Sequence, residues 1–209
     1  MTTRRCVIVH YGMGNTWSVR SAVQHLGVPA TISGDSDAIA RASHLILPGV
    51  GSFAKAMDNL TRSGIADSVK QFAKQGNGYL LGICLGMQLL GESGTEDGIS
   101  RGLGLLPFTV ERFQEAPRMG LALPHVGFNS VKFSDSNGLF SDLEPVSDFY
   151  FVHSYRVARP SNWSHIGVCR YGEEFLAAAE IANVCGTQFH PEKSQANGLR
   201  LLKNFLSKK

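Results

Sequence analysis

A cysteine lies between two glycines where an apolar run gives way to a helical pattern, in the stretch GICLGMQLL. The pattern of Gly82, Cys84 and Gly86 is typical of a nucleophile elbow, a sharp strand-to-helix turn that presents a reactive side chain. Glycines suit such a turn because its strained backbone leaves no room for neighbouring Cβ atoms. We therefore predict that Cys84 is a nucleophile, although a buried structural cysteine at a strand end would fit the same pattern.

A cysteine nucleophile needs a base, and the base needs a group that orients it. Among the seven histidines the best candidate is His190, in the segment GTQFHPEKS. Pro191 favours extended backbone at His190, and side chains two positions apart in an extended segment point the same way. We therefore expect Glu192 to lie near the imidazole and to hold its ring and tautomer. The alternative is a surface His-Pro-Glu turn with no catalytic role.

A second glycine-rich turn, LPGVG, closes another apolar run. Glycines on both sides of Val50 allow the backbone to present an N–H group at close range, which suits one half of an oxyanion hole. The N–H of Leu85, directly after the cysteine, is a candidate for the other half. Without a nucleophile nearby, the same glycines would indicate only a tight turn between a strand and a helix.

Apolar runs that end in glycine-rich turns lead into helical periodicity three times in the first half of the chain. CVIVHYGMGN precedes SVRSAVQHLG, HLILPGVG precedes SFAKAMDNL, and YLLGIC precedes LGMQLLGES. This repetition indicates a parallel α/β sheet covered by helices, in which function gathers at the carboxyl ends of the strands. YGMGN does not match a dinucleotide-binding turn, because its third glycine position holds Trp17.

The pattern changes after about Leu105. TVERF, NSVKF, DFYFVHSYRV, HIGVCRY and LAAAEIANVCGTQFHPE are rich in β-branched and aromatic residues. We predict mixed or antiparallel strands that extend the same sheet, followed by a final amphipathic helix in GLRLLKNFLSKK. The predicted fold is α/β, with one domain over residues 1–209 and three layers: a mixed, mostly parallel sheet with helices on both faces. The apolar side of the final helix is predicted to contain Leu199, Leu202, Phe205 and Leu206.

Composition argues against several classes of protein. Of the 209 residues 43% are hydrophobic and 18% charged, which is ordinary for a globular protein. A net charge of +3, without a strip of basic and aromatic residues, argues against nucleic acid as a partner. No apolar segment is long enough to span a membrane, and the four cysteines have no zinc-like spacing. We expect a cytoplasmic protein with reduced thiols, no metal and no cofactor.

GICLGMQLL together with QFHPEKS resembles the Cys-His-Glu triad of class I glutamine amidotransferases. YGMGN, LILPGVG, PHVGFN and YFVHSYRV resemble, in the same order, the branch of that family that forms the glutaminase subunit of imidazole glycerol phosphate synthase, a histidine-biosynthesis enzyme. The likeness runs from about Cys6 to Phe205, nearly the whole chain. It implies a flavodoxin-like, class I amidotransferase fold without a cofactor.

The resemblance implies that Cys84 attacks the side-chain amide of L-glutamine, while His190 activates the thiol and protonates the departing ammonia. Glu192 would orient His190, and water would release glutamate from a γ-glutamyl thioester. The main chains implied to line the oxyanion hole are those of Val50, Gly51 and Leu85, and the residues implied to bind the substrate are Gln88, Glu96, His153, Ser154 and Tyr155.

The family also implies a partner, because free ammonia would be lost to protonation and diffusion unless it passed directly to a second active site. The expected partner is a (β/α)8-barrel cyclase subunit in a heterodimer. The residues implied to lie at its interface are His125, Phe128, Asn129 and Lys193. The alternative for these residues is an ordinary exposed loop and lysine.

Two positions depart from the branch: His10 stands where aspartate is more familiar, and Phe128 where tryptophan is. Both bear on the partner, so a close branch that supplies ammonia for amidine formation on a bacterial surface sugar stays open. Two further hypotheses are a stand-alone cysteine hydrolase and an inactive scaffold that regulates a barrel partner. The intact set of Cys84, His190 and Glu192 counts against the scaffold.

Overall fold

The computed structural model describes residues 5–209. The helices are α1 (Thr16–His25), α2 (Ser36–Ala40), α3 (Phe53–Arg62), α4 (Ile65–Gln75), α5 (Leu85–Leu89), α6 (Glu115–Arg118) and α7 (Gln195–Ser207), and short 3-10 turns occupy Gly138–Phe140 and Pro191–Lys193. The strands are β1 (Cys6–Val9), β2 (Ala30–Ser33), β3 (His44–Gly49), β4 (Tyr79–Cys84), β5 (Ser93–Gly94), β6 (Ser100–Arg101), β7 (Thr109–Arg112), β8 (His125–Phe133), β9 (Val146–His153), β10 (Tyr155–Val157), β11 (Ile166–Tyr171), β12 (Glu173–Ile181) and β13 (Val184–Thr187).

The larger sheet is mixed, as predicted, with the strand order β2-β1-β3-β4-β13-β12-β11-β8-β9. Its first five strands pair in parallel, and the remaining ladders are antiparallel. The balance is therefore more even than the mostly parallel sheet that we expected. One reason is that β11, β12 and β13 follow one another through connections of one or two residues, and such short turns permit only antiparallel neighbours.

A second, four-stranded sheet has the order β10-β7-β5-β6. The prediction that every strand of the second half extends one sheet is therefore wrong for TVERF and for the end of DFYFVHSYRV. The chain leaves the large sheet at Ser154, between β9 and β10, and Tyr155 then pairs with Arg112 of β7. Residue type predicts strands well here, but it does not specify which strand becomes the partner.

Two apolar cores lie on opposite faces of the large sheet, so the predicted layers are confirmed. Along β1, Cys6 and Ile8 belong to one core and Val7 and Val9 to the other. Helices α1 and α7 pack on the first core, and α3 and α4 on the second. Strands buried on both faces must be apolar at successive positions, which explains the continuous apolar runs of the first half.

The predicted helical faces agree with the buried side chains. In α3 the buried residues are Phe53, Ala56, Met57 and Leu60. In α7 they include Leu202, Phe205 and Leu206, whereas Leu199 is half-buried at the border of the core. Within residues 5–209, no helix combines the length and the apolar character needed to cross a bilayer.

Glycines allow β3, β4 and α5 to approach closely beneath the predicted elbow. A Cβ atom at Gly86 would overlap the Leu47 carbonyl oxygen, and one at Gly82 would lie 2.7 Å from the carbonyl carbon of Gly86. A Cβ atom at Gly49 would lie 2.7 Å from the Gly86 nitrogen. These contacts are with backbone atoms, which cannot rotate away, so side chains at these positions would push the three elements apart.

Replacing Gly86 with Ala should therefore lower the free energy of unfolding by about 2–4 kcal/mol, measured by urea denaturation. Gly27→Ala is the control, because Gly27 lies in a turn with a φ of 76° and no atom of residues 5–209 lies within 4 Å of its added Cβ. The control should cost only the backbone strain of a side chain at positive φ, about 1 kcal/mol. Equal losses in the two variants would contradict the close-packing explanation.

Candidate active site

Cys84 ends β4 in a strained conformation, as the elbow pattern predicts. Its φ of 55° and ψ of −113° are unusual for a residue with a side chain. The residue is 6% exposed. Its thiol donates to the Val152 carbonyl at 3.9 Å and accepts from Nε2 of Gln188 at 3.7 Å. The strained backbone thus places the sulphur between a carbonyl acceptor and an amide donor.

Three neighbouring parallel strands deliver the predicted site to one edge of the sheet. Strand β4 lies between β3 and β13, with Gly49 opposite Cys84 and Thr187 opposite Ile83. The turn after β3, the cysteine at the end of β4 and the segment after β13 therefore meet at the carboxyl ends of these strands, where ligands bind in open α/β sheets. His190 follows β13 by three residues.

His190 and Glu192 form a buried pair. Nδ1 of His190 lies 2.8 Å from Oε1 of Glu192, and their side chains are 2% and 1% exposed. The predicted proximity is present, but its local cause differs from the one we expected. His190 itself is extended, whereas Pro191–Lys193 form a 3-10 turn, so the tight turn rather than a continuing strand brings the carboxylate back to the imidazole.

The surroundings of His190 favour its protonated form. Burial by itself lowers the pKa of His190, but hydrogen bonding and charge from Cys84 and Glu192 outweigh burial and raise the pKa to about 10. The imidazole is therefore expected to be positively charged at neutral pH. Among the described residues, the buried Nε2 of His190 has no partner other than the nearby Cys84 thiol, so this is the ring atom available to the thiol and to a leaving group.

A cavity of about 480 Å³ opens onto the thiol. The residues predicted from the sequence that line it are Cys84, His190, Val50, Gly51, Leu85, Gln88, Glu96, His153, Ser154 and Tyr155. Ser52, Pro124 and Val152 complete the wall. Every residue implied to form the oxyanion hole or to bind the substrate therefore contributes side-chain or backbone atoms to the wall of one cavity, although these residues span more than a hundred positions of the chain.

The turn after β3 forms the rim of this cavity. Val50 is 43% exposed, and Gly51 has a φ of 105°, which glycine adopts without strain. Gly49 is needed for close packing, since its missing side chain permits contact with Leu85 and Gly86. The backbone of the turn is thereby held beside helix α5, which follows Cys84.

Gln88 and Glu96 are held by specific hydrogen bonds in the wall. Gln88 is buried, and its Nε2 donates both to the Tyr155 carbonyl at 3.1 Å and to Oε1 of Gln188 at 2.8 Å. Oε2 of Glu96 accepts from the Phe53 N–H at 2.8 Å, at the start of α3. Gln88 is therefore not a helix-surface amide, and Glu96 is fixed next to the turn that carries Val50.

The His153 side chain points into the protein rather than into the cavity. Its Nδ1 donates to the Tyr155 carbonyl at 2.7 Å, and its Nε2 lies 3.1 Å from Nδ1 of His125. Burial, above all, lowers the pKa of His153 to about 3, and burial lowers the pKa of His125 to about 4. Both imidazoles are therefore neutral at physiological pH. Because the His153 ring points away from the cavity, only the backbone of this residue can contact a ligand there.

Of the four residues predicted at a partner interface, His125 does not lie on the surface. It is 3% exposed, and its ring stacks on Tyr171 at 4.1 Å and on Phe151 at 4.9 Å between ring centroids. The prediction for its side chain is thus corrected: PHVGFN is part of strand β8, in which alternate side chains face the core. Asn129 is half-buried and donates to the Arg170 carbonyl at 3.1 Å.

Phe128 and Lys193 are exposed and meet at Tyr150, which sequence reasoning did not single out. Phe128 is 51% exposed, and its ring lies edge-on to Tyr150 at 5.6 Å, while Nζ of Lys193 lies 5.7 Å from the centre of the Tyr150 ring. We call Phe128, Tyr150 and Lys193 the aromatic patch. The Tyr150 carbonyl accepts from the His190 N–H at 2.9 Å, so the patch adjoins the buried pair.

Gln188 is the other residue that sequence reasoning missed. It is completely buried, and its amide lies between Gln88 and the thiol of Cys84. The rule of two-residue spacing that placed Glu192 near His190 also applies in the opposite direction, toward Gln188. That signal was present in TQFHPE, but glutamine has no titratable group and so did not stand out as a candidate.

Replacing Cys84 with Ala should lower the pKa of His190 from about 10, because the variant removes a hydrogen bond and a charge that favour the imidazolium. The pKa can be measured by NMR titration of the ring nitrogens. Cys169→Ala is the matched control, since Cys169 is also a buried thiol but does not line the cavity. An unchanged His190 titration in Cys84→Ala would mean that the thiol and the imidazole do not interact.

Comparison with known proteins gives a consistent result. A model of the family Glutamine amidotransferase class-I matches residues 7–209. The chain is 42% identical over 204 residues, covering 97% of both proteins, to imidazole glycerol phosphate synthase subunit HisH 1 of Parasynechococcus marenigrum. It is 45% identical over 199 residues, covering 95% of both, to subunit HisH of Rhodopirellula baltica.

Solved structures agree on the fold. A structure of PurLQS from Thermotoga maritima superposes with a TM-score of 0.73 at 19% identity, covering 98% of both chains. A crystal structure of a glutamine amidotransferase gives a TM-score of 0.72 at 21% identity, covering 96% of both. The chain belongs to the class I glutamine amidotransferases and, within them, to the family of imidazole glycerol phosphate synthase subunit HisH.

Proposed function

We propose that this protein is a glutaminase subunit that hydrolyses L-glutamine to glutamate and ammonia and delivers the ammonia to a (β/α)8-barrel cyclase. The cyclase would use it to make imidazole glycerol phosphate and AICAR in histidine biosynthesis. The observation that carries the proposal is the buried set of Cys84, His190 and Glu192 at one side of a cavity lined by the implied glutamine-binding residues. The four free, buried thiols fit a reducing compartment such as the cytoplasm.

In the proposed reaction, Sγ of Cys84 attacks the amide carbon of glutamine. The negative charge that develops on the amide oxygen is stabilised by the main-chain N–H groups of Leu85 and of the turn at Val50 and Gly51. His190 gives its Nε2 proton to the departing nitrogen, which leaves as ammonia. His190 then takes a proton from water as the water attacks the thioester, and glutamate is released.

Gln88 and Glu96 are proposed to hold the amino-acid end of glutamine. Both N–H bonds of the Gln88 amide are occupied by protein carbonyls, so its Oε1 is the atom that can accept from a substrate ammonium group. Glu96 has one oxygen on the Phe53 N–H, and its negative charge favours a cation beside it. The Tyr155 carbonyl already accepts two hydrogen bonds and is not expected to take a third.

The aromatic patch is the proposed docking surface for the cyclase. Aromatic side chains are enriched at the centres of protein interfaces, and Phe128 and Tyr150 supply two of them. The Tyr150 backbone connects this surface to the triad, because its carbonyl accepts from the His190 N–H and its N–H donates to Ser194 at 2.9 Å. A partner seated on the patch would lie close to the point where ammonia forms.

The competing candidate functions have less support. The two HisH relatives are named as subunits of imidazole glycerol phosphate synthase, which favours the histidine pathway over amidine formation on a surface sugar. A role as a subunit also gives a function to the aromatic patch beside the active site, which a stand-alone hydrolase would leave without one.

Replacing Cys84 with Ser should reduce glutamate release by about 10³-fold or more, because the hydroxyl is a far weaker nucleophile than the thiolate. The assay is glutamate production by the complex of this chain with a barrel cyclase and its ligand. Cys169→Ser is the control and should retain activity, since that thiol lies outside the cavity. Unchanged hydrolysis in Cys84→Ser would place the nucleophile elsewhere.

The same assay tests the need for a partner. Glutamate release by the isolated chain should be weak and should rise strongly when the cyclase and its ligand are added. Equal rates with and without a partner would contradict the role as a subunit and would favour a stand-alone hydrolase.

Replacing Lys193 with Ala should weaken cyclase binding by about 5- to 20-fold, as expected for one residue near the centre of an interface. Binding can be measured by titration calorimetry with the Cys84→Ser chain. Lys74→Ala removes the same charge from the exposed surface of α4 and should leave affinity unchanged. Equal affinities for the two variants would show that the aromatic patch is not part of the interface.

A further inference from the structure

A buried chain of hydrogen bonds leads from strand β8 to the sulphur of Cys84. Asn129 Nδ2 lies 3.2 Å from His125 Nε2, and His125 Nδ1 lies 3.1 Å from His153 Nε2. His153 Nδ1 lies 2.7 Å from the Tyr155 carbonyl, which also accepts from Gln88 at 3.1 Å. The Gln88 amide then contacts Gln188 at 2.8 Å, and Gln188 contacts the sulphur at 3.7 Å.

The direction of every hydrogen bond in this chain follows from one group, the Tyr155 carbonyl, which can only accept. Gln88 must therefore turn its NH2 group toward Tyr155, and that group also reaches Gln188. Gln188 must therefore accept this hydrogen bond with its side-chain carbonyl oxygen, which leaves its own NH2 group facing Cys84. The amide orientation at the sulphur is thus determined two side chains away.

The two histidines stabilise the same carbonyl from its other side. Since Nδ1 of His153 must donate to Tyr155, its Nε2 in the neutral ring accepts from Nδ1 of His125. Nε2 of His125 then accepts from Asn129. A single tautomer of each ring satisfies all three contacts, and the neighbouring rings of Phe113, Phe151 and Phe175 offer no competing polar partner.

We propose that Gln188 is a further catalytic residue, which donates to Cys84 Sγ and favours its thiolate, and that His153 and His125 are positioning residues that hold Gln188 in this orientation through Tyr155 and Gln88. The inference rests on the proposed function only in taking Cys84 as the nucleophile. Another polar contact of the sulphur is the Val152 carbonyl, which accepts from the thiol at 3.9 Å, so among these two contacts Gln188 is the donor to the sulphur. Gln188 is buried at every atom and anchored by its N–H on the Ala177 carbonyl at 2.8 Å, so it cannot easily reorient.

The test is the pH dependence of Cys84 alkylation by iodoacetamide, followed by mass spectrometry of the peptide that contains residue 84. The titratable groups that face the sulphur are His190, with Glu192 behind it, and Tyr11, and none of them is altered by a change at Gln188. Gln188→Met keeps the length of the side chain but removes the donor. It should move the midpoint of the alkylation profile upward by about one pH unit, the size expected for a lost hydrogen bond to a charged group.

Gln188→Glu should move the midpoint further in the same direction, because it places an acceptor where the donor was. In the cyclase complex both variants should lower kcat for glutamine hydrolysis more than they change KM. Midpoints equal to that of the unaltered protein in both variants would overturn the role of Gln188. A loss of thermal stability without a shift in midpoint would likewise reduce it to a packing residue.

A matched pair at His153 tests the positioning role. His153→Asn keeps a donor near the place of Nδ1, whereas His153→Leu has nearly the same shape as Asn but no donor. His153→Leu should shift the alkylation midpoint in the same direction as Gln188→Met. His153→Asn should keep the midpoint of the unaltered protein. Phe113→Leu is the packing control, because its ring lies 5.3 Å from that of His153 but has no place in the chain of hydrogen bonds. Equal profiles for Asn and Leu, or an equal shift in the control, would overturn the positioning role.

Alkylation requires neither glutamine nor a partner, so this inference and the proposed function can fail separately. Unshifted midpoints in a protein that hydrolyses glutamine through Cys84 would overturn the inference alone. A complex that shows no hydrolysis of glutamine, or hydrolysis that survives Cys84→Ser, would overturn the proposed function instead.

Discussion

Cys84 can leave the end of β4 with a φ of 55° only because the elements around it approach to backbone contact. Gly82, Gly86 and Gly49 have no side chains to keep β3, β4 and α5 apart. Helix α5 is thereby pressed against the ends of the strands, and the main-chain groups of Leu85 and of the turn at Val50 come to face the same space as the thiol. The strained backbone of Cys84 is maintained by this packing, and a side chain at any one of the three glycines would disrupt it.

A second constraint is the burial of opposite charges. The imidazole of His190 is isolated from water, and burial alone would remove its proton. The proton is retained because Glu192 and Cys84 lie on either side of the ring and favour the charged form. Such an arrangement tolerates no missing member, since an unpaired charge in this setting is costly. The catalytic potential of the site and its electrostatic balance therefore have the same origin.

The surroundings of this centre join it to the antiparallel end of the sheet. Strand β9 is last in the sheet order, yet Val152 contacts the thiol and Tyr150 contacts the backbone of His190. The sheet must curl for these contacts to form, and the curled end carries Phe128 and Tyr150 of the aromatic patch together with the pair of buried histidines. Strand β9 thus contacts both Cys84 and His190, and strands β8 and β9 also supply part of the exposed surface.

The sequence by itself determined the local features of the site. Flanking glycines predicted the elbow at Cys84, the spacing of His190 and Glu192 predicted their contact, and helical periodicity identified the buried face of α3. Each of these signals depends on residues a few positions apart, whose relative placement is dictated by backbone geometry. The family resemblance added the residues implied to bind the substrate, and these residues line one cavity.

Only the tertiary structure decided which strands pair and which side of a strand faces the core. The alternation in β8 allowed His125 to lie inside or outside, and packing against Tyr171 and Phe151 put it inside. The change of sheet at Ser154 and the orientation of the Gln188 amide depend on partners far away in the chain. A strand pattern of period two distinguishes two faces, but it contains no information about what will cover each of them.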